Sequence, residues 1–239
     1  MKICILHIGH TEPGAVSDHP PSPERFKSAL MPHVPDAKIT TINAVGAVLP
    51  QPDAFDAYLI TGGKYSVFEQ LDWQNRLFDF IRILDRQERS LLGICYGHQA
   101  VAQALGGTVK RSAKGWGVGI MPVTPTRTTK WGPSKDVIHM LHAMHQDQVC
   151  VLPSMANNWL TSDFCPSSGF TVGDHFWCIQ QHPDFTPAIS RDLVEKRRDR
   201  IGEECATKAI ASLAGADDTL ESVSWMASFL KHSVYKRGL

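Results

Sequence analysis

Cys95 stands in Gly93-Ile94-Cys95-Tyr96-Gly97, at the end of a short apolar run and directly before a helical pattern. Strand, sharp turn and helix in that order read as a nucleophile elbow. Gly93 and Gly97 leave room where side chains would clash in so tight a turn. The turn then drives Cys95 outward beside a helix N-terminus, whose positive end favours thiolate, the reactive form of cysteine. A buried structural cysteine followed by a glycine turn would leave the same five residues, so the rest of the chain has to decide. A cysteine nucleophile needs a base, and the base needs an orienting partner. His182 is the expected base and Asp184 the expected orienter: residues two apart in an extended segment point the same way, and Pro183 stiffens the spacing. Each alone also fits a strand-end histidine and a turn aspartate; jointly with the elbow they read as catalytic. Donors for a developing oxyanion are expected from the backbone N–H groups of Tyr96 and Gly63, the second because glycine lets the backbone approach closely. Otherwise Gly62-Gly63 is a strand-to-loop turn.

These residues need elements to hold them. Residues 2–9, 38–45, 57–61 and 91–95 read as strands. Residues 11–35, rich in proline and histidine, read as a loop around a short helix at 24–30. Asp72 is expected to N-cap a helix in which Trp73, Leu77, Phe80, Ile81 and Leu84 fall at helical spacing. Ala100, Val101, Ala104 and Leu105 mark a second apolar face, stopped by Gly106-Gly107. This β-α-β-α order predicts a mostly parallel sheet covered by helices on both faces. Between residues 108 and 181 short strand candidates follow one another (117–123, 137–144, 158–162, 176–181), as in a small antiparallel extension of the same sheet. Helices are predicted at 187–201, 203–213 and 218–232. With no repeat, linker or low-complexity tract, residues 1–239 read as one domain. In a parallel sheet, Gly62-Gly63, Cys95 and His182 would all fall at strand carboxyl ends, where such sheets place their sites.

Composition excludes several classes. Of 239 residues, 43% are hydrophobic and 20% charged, which suits a globular chain with a full core. Lysine plus arginine equal aspartate plus glutamate at 24 each, so no basic surplus points to nucleic acid or an anionic membrane. Lys196-Arg197-Arg198, the only basic cluster, lies in a helical pattern with Glu195 and Asp199 and reads as a solvated face. No apolar run is long enough to span a membrane. His7, His10 and Glu12 interrupt the apolar start too early for a signal peptide, so a buried first strand is expected. The six cysteines form no C-x-x-C pair and do not look like a disulfide framework, which fits a reducing cytoplasm. His139, His142 and His145 invite thought of a metal, but the residues around them fit a strand, where that spacing alternates faces, and no second ligand cluster completes a site. No metal or other cofactor is expected. Gly115-Trp116-Gly117-Val118-Gly119 reads as a turn between strands rather than a phosphate loop.

The motifs together resemble the class I glutamine amidotransferases. Gly93-Ile94-Cys95-Tyr96-Gly97-His98-Gln99, with the Ala-Leu-Gly-Gly helix end after it, is similar to their nucleophile segment. Thr61-Gly62-Gly63-Lys64-Tyr65-Ser66-Val67 resembles their oxyanion loop. Met144-His145-Gln146-Asp147-Gln148-Val149 resembles the Ser-His-x-Asp-x-Val segment of the GMP-synthase-like branch, and Gln180-Gln181-His182-Pro183-Asp184-Phe185 the His-Pro-Glu segment. The matches come in family order over residues 3–185. The resemblance implies a flavodoxin-like three-layer α/β fold. It also implies attack of Cys95 on a glutamine side-chain amide, a γ-glutamyl thioester, release of ammonia and hydrolysis to glutamate. Gln99 and the segment around His145 and Gln146 would hold the substrate's α-amino and α-carboxylate groups, and Trp116 would line the cleft. The nearest likeness is to the stand-alone branch that includes plant γ-glutamyl peptidases, whose C-terminal helix residues 219–231 resemble.

Three functions remain open at this level. A synthetase partner could receive ammonia from glutamine, or the chain could act alone as a γ-glutamyl peptidase on glutathione-like compounds. Thiolate attack serves both. Within these residues no ATP-pyrophosphatase domain or P-loop signature appears, so the chain is not expected to activate an acceptor itself. The third is a regulatory or scaffold protein on the same fold, invited by one departure: Asp184 stands where most of the family has glutamate, one methylene longer. A second departure, Lys64 where a proline or small residue is common, is expected to face solvent.

Overall fold

Apolar residues alternate sides along the first strand, and that alternation builds three layers. Ile3 and Ile5 pack with one core and Cys4 and Leu6 with another on the opposite face. A strand buried on both faces must be covered by helices on both faces. The structure is a computed structural model that describes residues 1–9 and 18–235. Its elements are β1 (Lys2–His7), α1 (Ser22–Leu30), β2 (Lys38–Asn43), β3 (Ala57–Ile60), α2 (Asp72–Arg86), β4 (Ser90–Ile94), α3 (Tyr96–Ala104), β5 (Thr108–Arg111), β6 (Gly117–Pro125), β7 (His139–His145), β8 (Asp147–Val151), β9 (Ala156–Thr161), β10 (Gly169–Val172), β11 (Phe176–Ile179), α4 (Pro187–Glu195), α5 (Arg198–Ile201), α6 (Glu203–Ser212) and α7 (Thr219–Tyr235). Of the expected loop before α1, residues 11–17 lie outside the described residues.

The main sheet runs in the order β2-β1-β3-β4-β11-β10-β9-β6-β7. The first five strands are parallel, in a flavodoxin-like order, and the remaining four are antiparallel. Leu77, Phe80 and Ile81 of α2 and Ala100 and Val101 of α3 fill one core; Phe26 of α1 and Met226 and Phe229 of α7 fill the other. A third cluster packs Ile189 of α4 and Ala206 of α6 against Val118 of β6 and Met144 of β7. No helix among the described residues is long and apolar enough to cross a membrane.

Several boundaries differ from the sequence expectation, each for a local reason. Asp72 is the first helical residue of α2, not its cap: the Gln74 side chain reaches back to accept from the Leu71 N–H at 3.0 Å. The helix expected over 187–201 is broken into α4 and α5, with Arg197 at the junction (φ −117°, ψ 12°). Val137 and Ile138, read as strand, are exposed and precede β7. Three strands are additional. β5 and β8 pair as a separate antiparallel ribbon, and β10 continues the main sheet. Only Gln146 separates β7 from β8, so the sequence hides the point where the chain leaves the sheet for the ribbon.

Candidate active site

Three parallel strands deliver the site. β3 runs into Thr61-Gly62-Gly63, β4 into Cys95, and β11 into Gln180-Gln181-His182. Parallel pairing of β3 with β4 and of β4 with β11 brings these strand ends to one edge. Cys95 lies between β4 and α3 with φ 51° and ψ −100°. A non-glycine residue held there costs on the order of 1–3 kcal/mol, so packing must enforce the turn. Gly97 shows how: a Cβ there would lie 2.4 Å from the Ile60 carbonyl oxygen, so only glycine lets the first turn of α3 press onto β3. The Cys95 N–H donates to Ile179 O at 2.9 Å, tying the Cys95 turn to the strand that leads to His182.

Cys95, His182 and Asp184 come together, all nearly buried. A Cβ on Gly62 would sit 2.9 Å from His182 Cε1 and 3.4 Å from Cys95 Cβ, so the imidazole and the cysteine flank the same glycine. His182 Nδ1 and Asp184 Oδ1 are 3.4 Å apart, a long contact consistent with the shorter carboxylate. His182 Nε2 is buried without a hydrogen-bond partner. Phe185 stacks on the imidazole at 3.9 Å between centroids, fixing its plane. Burial alone would lower the His182 pKa, but Cys95 and Asp184 outweigh it and raise it to about 9. Burial alone would likewise raise Asp184. The His182 hydrogen bond and charge, with the Arg25 guanidinium, hold it instead below the ordinary carboxylate range.

Two partners of Asp184 were invisible in the sequence. Arg25 on α1 donates to Asp184 Oδ2 from Nε at 3.0 Å and from Nη2 at 2.6 Å, and Ser22 Oγ donates to the same oxygen at 3.2 Å. The carboxylate is thereby held from behind, with Oδ1 left for His182. Nothing in the composition of α1 marks these two residues.

The site opens into a cleft of about 280 Å³. Gly63, Tyr96, Gln99, His145, Gln146 and Trp116 all line it. The Gln99 amide nitrogen is already committed, to Asp147 O at 2.9 Å and Gln180 Oε1 at 3.0 Å, which leaves its oxygen for any ligand. His145 Nδ1 faces Asp147 O at 3.1 Å, and burial lowers its pKa to about 4, so the ring is neutral with the proton on Nδ1. Asp147 accepts from Ser66 Oγ on one carboxylate oxygen, while the other lies 3.5 Å from Arg111 Nε. Lys64 is exposed at the mouth, its ammonium 5.9 Å from the centre of the Tyr65 ring. The three histidines of β7 have separate surroundings. His142 contacts Ser190 Oγ at 2.8 Å and Asp217 at 3.1 Å, while His139 lies 3.3 Å from Glu221 and 4.0 Å from Asp218.

A histidine–aspartate pair thus lies beside a strained cysteine at the edge of a flavodoxin-like sheet. The glutamine amidotransferase class-I family matches residues 34–197, and the chain belongs to that family. Among curated relatives it is 30% identical over 172 residues to γ-glutamyl peptidase 3 of Arabidopsis thaliana, covering 69% of each chain. It is 36% identical over 86 residues to a glutamine-hydrolyzing GMP synthase subunit of Sulfolobus acidocaldarius, a match to 34% of this chain and 44% of that one. Among solved structures, a glutamine amidotransferase from Thermotoga maritima superimposes with a TM-score of 0.74 at 19% identity, over 97% of this chain and 98% of the other. That likeness carries the fold.

Proposed function

We propose that the chain hydrolyses γ-glutamyl amides through a Cys95–His182–Asp184 triad. The observation that carries this reading is the meeting of Cys95, in its strained turn, with an imidazole whose Nδ1 faces a buried carboxylate and whose Nε2 is unpartnered. Cys95 Sγ attacks the γ-carbonyl carbon while His182 Nε2 holds the thiol proton. The N–H groups of Gly63 and Tyr96 stabilise the developing oxyanion. Collapse expels the amine, which takes the proton from His182, and leaves a γ-glutamyl thioester. Water then attacks, its proton passing to His182 and on to the departing thiolate, and glutamate is released. Asp184 keeps the imidazole oriented and stabilises its charge. The γ-glutamyl α-amino and α-carboxylate groups bind along Gln99, His145 and Gln146, with the Gln99 oxygen as its contact.

The names of the relatives divide this reading in two. A peptidase would take γ-glutamyl compounds alone, whereas a synthetase partner would draw ammonia from glutamine. The decisive assay measures glutamate release from glutamine and from glutathione side by side, with Cys95→Ala as control. Fast Cys95-dependent release from glutathione is the expected result for a lone peptidase. Slow release from glutamine only would assign the chain to a synthetase. Loss of about 10³-fold or more is expected in Cys95→Ala, and an unaffected variant would remove the catalytic reading altogether.

A further inference from the structure

Three consecutive basic residues follow α4, and the structure separates them. Lys196 Nζ is bound to Asp192 Oδ2 at 2.8 Å. The Arg198 guanidinium is held by Glu195 and Glu203, each at 2.7 Å. Those two form the solvated face expected from the sequence. Arg197 does not. The helix break turns it into the cleft that holds Cys95 and His182. Its Nη1 is buried without a hydrogen-bond partner, and among the described residues it forms no ion pair. The nearby acid, Asp192, is occupied by Lys196. Arg200 lines the same wall, its guanidinium 5.7 Å from the centre of the Trp116 ring. Burial and Arg200 both lower the Arg197 pKa, against the pull of Cys95 and Asp192. A half-buried guanidinium with one nitrogen shut away from solvent and no counter-ion is destabilising until a ligand supplies one.

The two walls of the cleft differ in charge. On the β5–β8 side Asp147 and Arg111 offer one acid and one base, the complement of a free amino acid's ammonium and carboxylate. The α4–α5 side offers unpaired positive charge. A γ-glutamyl compound has this same asymmetry. Its glutamyl end is a zwitterion, while an amino acid at the other end has its amine tied up in the scissile amide and keeps only its carboxylate. Glutamine, whose leaving group is ammonia, has nothing to place there.

We propose that Arg197, flanked by Arg200, binds the carboxylate of the leaving group, so that the preferred substrates are γ-glutamyl amino acids or short γ-glutamyl peptides with a free C-terminus. This rests on the hydrolase reading above and names its substrate class. Arg197 is thus a specificity residue that touches substrate away from the reacting atoms.

The test compares substrates that differ in that carboxylate alone: γ-glutamylglycine against γ-glutamylmethylamide, and glutathione against its C-terminal amide. In at least one pair the wild-type kcat/KM should favour the acid by about tenfold or more, the scale of a charged hydrogen bond. Arg197→Met should bring that ratio near one, and Arg197→Lys should retain part of it. A wild-type ratio near one in both pairs, or an equal loss on acid and amide in Arg197→Met, overturns the proposal. A binding arm removes turnover from the question. By calorimetry, Cys95→Ala should bind the favoured acid at least about tenfold more tightly than Cys95→Ala/Arg197→Met. Equal affinities overturn the proposal. Glutamate release from no substrate, with that binding difference intact, overturns the hydrolase reading and leaves the carboxylate site standing.

Discussion

The parallel and antiparallel halves of the sheet contribute to the site in different ways. The parallel half delivers Gly62, Gly63, Cys95 and His182 at strand carboxyl ends, where backbone direction and a tight turn place each group. The antiparallel half, its ribbon and the helices packed on it deliver Asp147, Trp116 and Arg197, whose positions depend on how separate elements meet. On the proposed reading, reactivity resides in backbone geometry, and recognition in side chains that converge from distant parts of the chain. The contrast predicts that damage to the first half lowers turnover on every substrate, while damage to the second changes the preference among substrates.

The sharpest test after removal of the nucleophile is Asp184→Asn. Loss of the buried anion should reduce kcat on the order of 10²-fold or more for all γ-glutamyl substrates. It should also move the alkaline limb of the kcat/KM profile, expected where His182 loses its proton at about 9, to lower pH. A limb that stays in place would detach Asp184 from the base. Linkage gives the same group a stability signature. The His182 pKa is raised above its unfolded value of 6.5, so its contribution is fully present below pH 6.5 and is lost as pH rises through about 9. Urea midpoints across that range should fall, and should fall less in Asp184→Asn.

Gly62→Ala comes next. Its methyl would lie 2.9 Å from His182 Cε1, and displacement of the base should cost about 10- to 100-fold in kcat with little change in substrate preference. A change of preference instead would break the division between the two halves. Arg25→Met, which frees Asp184 Oδ2, should cost about tenfold, the value of a charged hydrogen bond. Ser22→Ala removes one weaker donor at 3.2 Å and should cost about threefold or less. Steady-state kinetics on a single γ-glutamyl dipeptide orders the three. An Arg25 variant as active as wild type would show that the long His182–Asp184 contact needs no support from α1.

The same division explains what the sequence could and could not reveal. Gly-x-Cys-x-Gly was legible because a turn that tight admits few residue types, and the strands of the parallel half because burial on both faces leaves continuous apolar runs. β5, with Lys110 and Arg111 in four residues, and β10, just after Pro166-Ser167-Ser168, carry too little pattern to be read. Arg25 lies 159 residues from Asp184, and no local spacing encodes that meeting. Arg197 was misleading because its neighbours Lys196 and Arg198 do face solvent. Only the helix break turns it inward, and periodicity carried across residues 187–201 conceals the break.

The hydrogen bond from the Cys95 N–H to Ile179 O makes the backbone of Cys95 a rung of the central ladder. Its amide can exchange with solvent only when β4 and β11 part, and they lie in the middle of the nine-stranded sheet. Cys95 should accordingly be among the slowest amides in deuterium exchange, and chemical denaturation should abolish activity and melt the sheet in a single transition. The α4–α5 wall packs instead on β6 and β7 at the far end of that sheet, away from the rung that fixes Cys95.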